Sequence, residues 1–228
     1  MDRARPDTAL SLETDGFAVL PVLLESAEID RIAVAMARRP AAGARELLAE
    51  PWCAELARRL QSDHRLAGAI PATHRPVQCT AFEKSVGYNW LVAVHQDVAI
   101  PVAARVGDAA LRGWSNKGGT WFVQPPADVL QQLVALRLHL DDCGPDDGPL
   151  RVVPASHVEG LLDDAAAIAR RDARGTVACP VPRGGAMLMR PLLLHASSKA
   201  TGASRRRVLH FVFGPPRLPH GLAWAGAR

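Results

Sequence analysis

From Arg75 onward, Gly, Pro and Asp cut the chain into short apolar runs, and this punctuation restricts the fold more than any other feature. The runs cover residues 76–82, 90–98, 133–140, 150–153, 176–181, 186–194 and 206–213, each of strand length. Ahead of them the spacing is mostly helical. Asp15-Gly16 reads as a turn feeding a short strand to Leu23, and Ser26 as the N-cap of a helix over residues 27–38. Ile29, Ile32, Ala33 and Met36 would share one face of that helix. One or two helical turns are expected at 44–48, and Pro51, suited to a first turn, opens a helix to about Leu60. One more helix is expected over 158–171. Helices first and strands afterwards describe an α+β domain, its strands forming an antiparallel barrel or sandwich with helices packed outside.

A chain of 228 residues, 48% apolar, is read as one domain over 1–228 with a full core, residues 1–9 being disordered. No apolar run approaches the ~20 residues of a membrane span. Residues 1–8 are charged and lead into no signal-type stretch, so a cytoplasmic protein without a membrane partner is expected. Cys53, Cys79, Cys143 and Cys179 form no CxxC pair, which leaves buried free thiols as the expectation. The net charge of +4 rests on 24 arginines against three lysines. The arginines form short clusters rather than a basic stripe with interleaved aromatics, so no nucleic-acid partner is expected. The sequence leaves the oligomeric state open.

Residues 100–126 break the rhythm. Gly107, Gly113, Gly118 and Gly119 alternate with Trp114 and Trp121 in a connection long enough to suggest an active-site loop.

The chemistry begins at His95-Gln96-Asp97. Residues two apart on a strand share a face, so His95 and Asp97 point one way and Gln96 the other. One imidazole and one carboxylate offer two neighbouring ligands to a first-row metal. A third ligand from elsewhere would complete a two-His-one-carboxylate set with open positions for dioxygen and a cosubstrate. A surface or structural His-Asp pair is the competing reading. His195 ends the apolar run 186–194, near the mouth of the strand read there, and Arg206 opens the next run eleven residues later. A hairpin of that length would carry the guanidinium to the same pocket, where its planar fork suits a dicarboxylate. Arg205 and Arg207 should face away from it. His139 reads as a core histidine, His157 as a residue ordering a turn, and His210 as in phase to approach the site without a motif that makes it a ligand.

Four stretches resemble the phytanoyl-CoA dioxygenase family of iron(II)/2-oxoglutarate oxygenases: DGFAVLP, NWLVAVHQD, LRLHLDDCGPDDGPLRVVPASH and GGAMLMRPLLLHASSKATGASRRRVLHFVF. The resemblance implies a double-stranded β-helix, a jelly-roll barrel. It implies Fe(II) held by His95, Asp97 and His195, with Ser197 and Arg206 on the far carboxylate of 2-oxoglutarate. Asn89-Trp90 is similar to a feature of close relatives, which makes Lys84 and Asn89 further candidates for touching cosubstrate or substrate. The activity implied is hydroxylation of an unactivated C–H of a small metabolite by dioxygen, with release of succinate and carbon dioxide. A desaturase or cyclase, or a non-catalytic metal- or ligand-binding barrel, is the alternative. A halogenase would lack the carboxylate that Asp97 supplies.

Overall fold

A computed structural model describes residues 8–37, 46–87, 89–202 and 205–226. The disorder expected for residues 1–7 falls outside the described residues, whereas Thr8–Thr14 is helical (α1). Residues 44 and 45 also lie outside them, and Leu47–Ala49 forms a single 3-10 turn. The strand Phe17–Leu20 (β1) follows α1. The next helix, Ser26–Ala37 (α2), begins one residue earlier than expected. The Glu25 carbonyl, not that of Ser26, accepts its first bonds, from Glu28 and Ile29. Pro51–Gln61 (α3) starts at its proline, whose missing N–H would have had no partner in a first turn.

The strand-like runs resolve into Arg75–Lys84 (β2), Val92–His95 (β3), Ile100–Val102 (β4), Arg112–Lys117 (β5) and Thr120–Gln124 (β6). The short helix Ala127–Gln131 (α4) precedes Val134–His139 (β7) and Leu150–Val152 (β8). Asp164–Arg174 (α5) precedes Val177–Cys179 (β9), Ala186–Met189 (β10), His195–Ser197 (β11) and Arg206–Gly214 (β12). The helix expected over 158–171 therefore starts later. Its N-cap is Asp163, whose side chain accepts from the Ala166 N–H.

These strands build the double-stranded β-helix. One sheet runs β1-β10-β7-β12-β2 and the other β3-β11-β8-β9, with antiparallel neighbours. Strand alternation splits the five-stranded sheet into two faces. Leu136, Leu138, Leu188, Leu209 and Phe211 face outward and pack under Ile29, Ile32, Leu56 and Leu60 of α2 and α3. Ala135, Met187 and Met189 face inward and pack on Leu150 and Val152 of the second sheet. Among the described residues no helix is long and apolar enough to cross a membrane. All four cysteines are buried and free.

Two expectations need correction. The run 186–194 is not one strand: β10 ends at Met189, and the chain turns at Arg190-Pro191 before β11 starts in the other sheet. Pro191 has no N–H to give a ladder, so the apolar run breaks there. His195 thus opens a strand rather than ending one, and β11 and β12 lie in different sheets, not in one hairpin. Residues 100–126, expected as an active-site loop, instead contain a third antiparallel sheet, β4-β6-β5, with 103–111 connecting β4 to β5. Lys117 pairs with Thr120 across Gly118-Gly119, both at positive φ, as a two-residue hairpin turn requires. Trp114 and Trp121 stack edge to face at 6.4 Å.

Candidate metal and cosubstrate centre

His95 and His195 are Cα partners on β3 and β11, which places their rings 4.2 Å apart. Asp97 lies just past the end of β3, where its N–H donates to the Pro191 carbonyl at 2.9 Å. Gln96 points the other way. Its amide nitrogen donates to the carbonyls of Gly160 and Leu192, each at 2.8 Å, and its oxygen accepts from the Leu162 N–H at 2.9 Å. That buried clamp pins the backbone between the two prospective ligands. Ser156 does the same for the third. Its hydroxyl donates to the Val153 carbonyl at 2.7 Å and accepts from Leu194 N–H at 2.8 Å, one residue before His195. His157, beside it, meets the Glu13 carbonyl and ties the turn to α1.

One ligand atom from each of His95, Asp97 and His195 lies within 4.8 Å of the others. The tautomers suit a metal. His95 Nδ1 is 2.9 Å from the Ala93 carbonyl and His195 Nδ1 is 2.9 Å from the Leu193 carbonyl. A carbonyl only accepts, so each Nδ1 carries the proton and each Nε2 turns a lone pair toward Asp97. Burial is the main reason His195 titrates only at about 4, and so stays neutral and able to ligate. Asp97 would be raised by burial, but His195, His210 and His95 outweigh this and hold its carboxyl below the usual range.

A second cluster joins the two sheets. Lys84 and Arg206 are Cα partners on β2 and β12, and both are buried. Lys84 Nζ donates to the Ser197 hydroxyl at 2.9 Å and to the Ser198 carbonyl. Arg206 Nη1 donates to the carbonyl of Gly148, and Arg206 Nε is buried without a partner among the described residues. Gly148 sits at φ 62°, and a Cβ there would strike the Ser198 carbonyl oxygen at 2.5 Å, so only glycine permits this approach. Burial, then repulsion from Arg206 and Arg137, lowers Lys84 to about 8. A lysine, an arginine with an unsatisfied N–H and a hydroxyl fit a carboxylate.

Arg205 and Arg207 face away from the cluster and pair with Glu83 and Asp141. Asn89 has both ends of its carboxamide engaged by the Ala200 backbone, so it clasps the segment after Ser197 instead of presenting a free amide. Sequence reasoning did not single out Arg137, which is buried on the inward face of β7 and bonded to His210 at 3.1 Å. Its signal was a charge inside the apolar run LVALRLHL.

The family model for phytanoyl-CoA dioxygenase (PhyH) matches residues 12–208, most of the chain. The chain belongs to the phytanoyl-CoA dioxygenase family. It is accordingly an oxygenase that depends on Fe(II) and 2-oxoglutarate, and the residues described above fit both. No curated protein matches its sequence. Solved structures share the fold at low identity. The non-heme alpha-ketoglutarate-dependent carbocyclase SnoK from nogalamycin biosynthesis superposes with a TM-score of 0.70 at 16% identity, over 98% of this chain and 87% of that one. AviO1 from Streptomyces viridochromogenes gives 0.65 at 23% identity, over 95% and 97%. HygX from Streptomyces hygroscopicus, with nickel, 2-oxoglutarate and hygromycin B bound, gives 0.60 at 19% identity, over 93% and 88%.

Proposed function

We propose that the chain hydroxylates an unactivated C–H of a small molecule, with His95, Asp97 and His195 as the iron ligands. Lys84, Ser197 and Arg206 then hold the far carboxylate of 2-oxoglutarate. The observation that carries this reading is the pairing of two imidazoles in the ligating tautomer with one carboxylate, above a buried lysine and arginine. Iron with 2-oxoglutarate supplies, when bound, the oxidative decarboxylation that activates dioxygen. The overall reaction is RH + O2 + 2-oxoglutarate giving ROH + succinate + CO2.

The protein's own residues orient and shield. A cavity of about 260 Å³ opens beside Asp97, lined by Gln78, Thr80, Phe82, His210, Lys117 and Phe122 among others. That size supports a small substrate. Lys117 and Phe122 come from the β5-β6 hairpin, so the third sheet forms one wall. Gln78 and Thr80 line it from β2, where Gln78 Nε2 donates to Thr80 Oγ1 at 3.1 Å.

Cyclisation or desaturation is the second reading, since the structurally similar SnoK is a carbocyclase. The test is a metabolite screen for iron-dependent, substrate-stimulated succinate release, followed by mass spectrometry of the product. A gain of one oxygen supports hydroxylation, and a loss of two hydrogens supports the second reading. Stimulated metal or ligand binding without succinate would make the barrel non-catalytic.

A further inference from the structure

Three imidazole Nε2 atoms surround the Asp97 carboxylate: His95 at 3.8 Å from Oδ1, and His195 and His210 at 3.7 and 3.8 Å from Oδ2. The partner of the opposite ring nitrogen separates them. His95 and His195 have Nδ1 against a carbonyl, which leaves Nε2 as a lone pair. His210 has Nδ1 3.1 Å from Arg137 Nη1. A guanidinium donates and cannot accept, so His210 Nδ1 is the acceptor and the ring's one proton sits on Nε2. The same three-histidine geometry therefore contains two ligating rings and one donor.

We propose that His210 is a positioning residue, its Nε2–H directed at the Asp97 oxygen Oδ2, and that Arg137 fixes this tautomer. The proposal rests on the reading of Asp97 as an iron ligand. At 3.8 Å the contact is longer than a hydrogen bond, so in this structure it is an N–H dipole facing a carboxylate. Carboxylate ligands are oriented by such outer partners, and losing one costs metal affinity roughly 10–100-fold. Position supports the pairing. His210 and Arg137 are Cα partners on β12 and β7, on the inward face, and both are buried. Arg137 is steadied by the Phe82 ring, 5.4 Å from its guanidinium carbon, and Phe82 packs edge-on against His210 at 5.9 Å. His210 is held by its neighbours on two sides, and its free edge faces Asp97.

Two measurements test this. The first is the nitrogen-15 NMR signature of the His210 ring in metal-free wild-type protein, assigned by its loss in His210→Gln. An Nε2–H ring is expected, shifting to a tautomer mixture in Arg137→Met. A wild-type Nδ1–H ring or a cationic ring overturns the proposal, and this readout does not depend on Asp97 binding iron. The second is anaerobic cobalt(II) titration followed by the metal's visible absorption. His210→Phe should bind roughly 10–100-fold more weakly with an altered spectrum, and His210→Gln, which keeps an N–H, should recover most of both. Equal losses in Phe and Gln, or none in a folded His210→Phe, overturn it. If His210→Phe fails to fold, the contrast of His210→Gln with Arg137→Met decides: Arg137→Met should be the weaker binder, and the reverse order overturns the proposal. Unchanged cobalt binding in Asp97→Ala would instead sink the ligand assignment.

Discussion

Lys84 and Ser197 meet inside the barrel across 113 residues of chain, the ammonium donating to the hydroxyl at 2.9 Å. The contact joins the long strand β2 of one sheet to the short strand β11 of the other, two residues beyond His195. The proposed metal and cosubstrate groups are thus joined through β11.

Lys84→Met should weaken 2-oxoglutarate binding and remove a pH dependence. Burial, then Arg206 and Arg137, lowers Lys84 to about 8, so its cation is present below that pH and lost above it. In the wild type, affinity for the dianion should fall as pH rises through about 8. The KM for 2-oxoglutarate across that range checks this, and Lys84→Met should show no such inflection.

Arg206→Lys keeps charge but loses the planar fork, so apparent 2-oxoglutarate affinity should fall about tenfold or more, at ~1.4 kcal/mol per decade. Arg205→Lys and Arg207→Lys should leave it nearly unchanged, because their guanidinium groups engage Glu83 and Asp141. Titration of 2-oxoglutarate into the anaerobic iron-loaded protein compares all three. A larger loss in Arg207→Lys would mean that the far carboxylate is held elsewhere.

His95→Ala, Asp97→Ala and His195→Ala should each abolish succinate release. Each should also weaken iron binding by more than the roughly 10–100-fold expected from losing an outer partner. Metal content after dialysis, with succinate release alongside, measures both. Full activity in any one of them would remove that residue from the site.

His139 makes a prediction about acid stability. It is buried, its Nδ1 has no partner among the described residues, and burial, then Arg137 and Arg206, lowers it to about 3 from 6.5. The unfolded chain therefore binds this proton at higher pH than the fold does, and stability should fall as pH drops below 6.5 toward 3. His139→Leu removes both the orphaned nitrogen and this contribution, so its Tm should decline less steeply over that range. Parallel Tm–pH curves would show that His139 does not contribute to the slope.

Much of the architecture was legible locally. The inward and outward faces of β2, β7 and β12 follow from strand alternation, and the apolar face of α2 from helical spacing, because both repeats are properties of the backbone itself. The hairpin at Gly118-Gly119 was not legible, because a Gly-Gly pair marks a two-residue turn only between strand-like runs, and 100–126 reads as a glycine-rich, aromatic connection. The flanking strand β5 hid the signal: Arg112, Gly113, Asn116 and Lys117 are exposed, so no apolar alternation marks it.

By itself the sequence determined that His95 and Asp97 share one side, that Gln96 takes the other, and that Arg205 and Arg207 turn away from Arg206. Each of these is a matter of one- or two-residue spacing along an extended chain. Only the tertiary structure decided that β11 stands between β3 and β8, so that His195 faces His95 and Ser197 reaches Lys84. It alone decided which of three imidazoles around Asp97 offers a lone pair and which a proton. Local spacing sets the direction of a side chain. The protonated nitrogen of a buried ring is set by whatever another strand presses against its far side: a carbonyl that must receive a proton, or a guanidinium that can only give one.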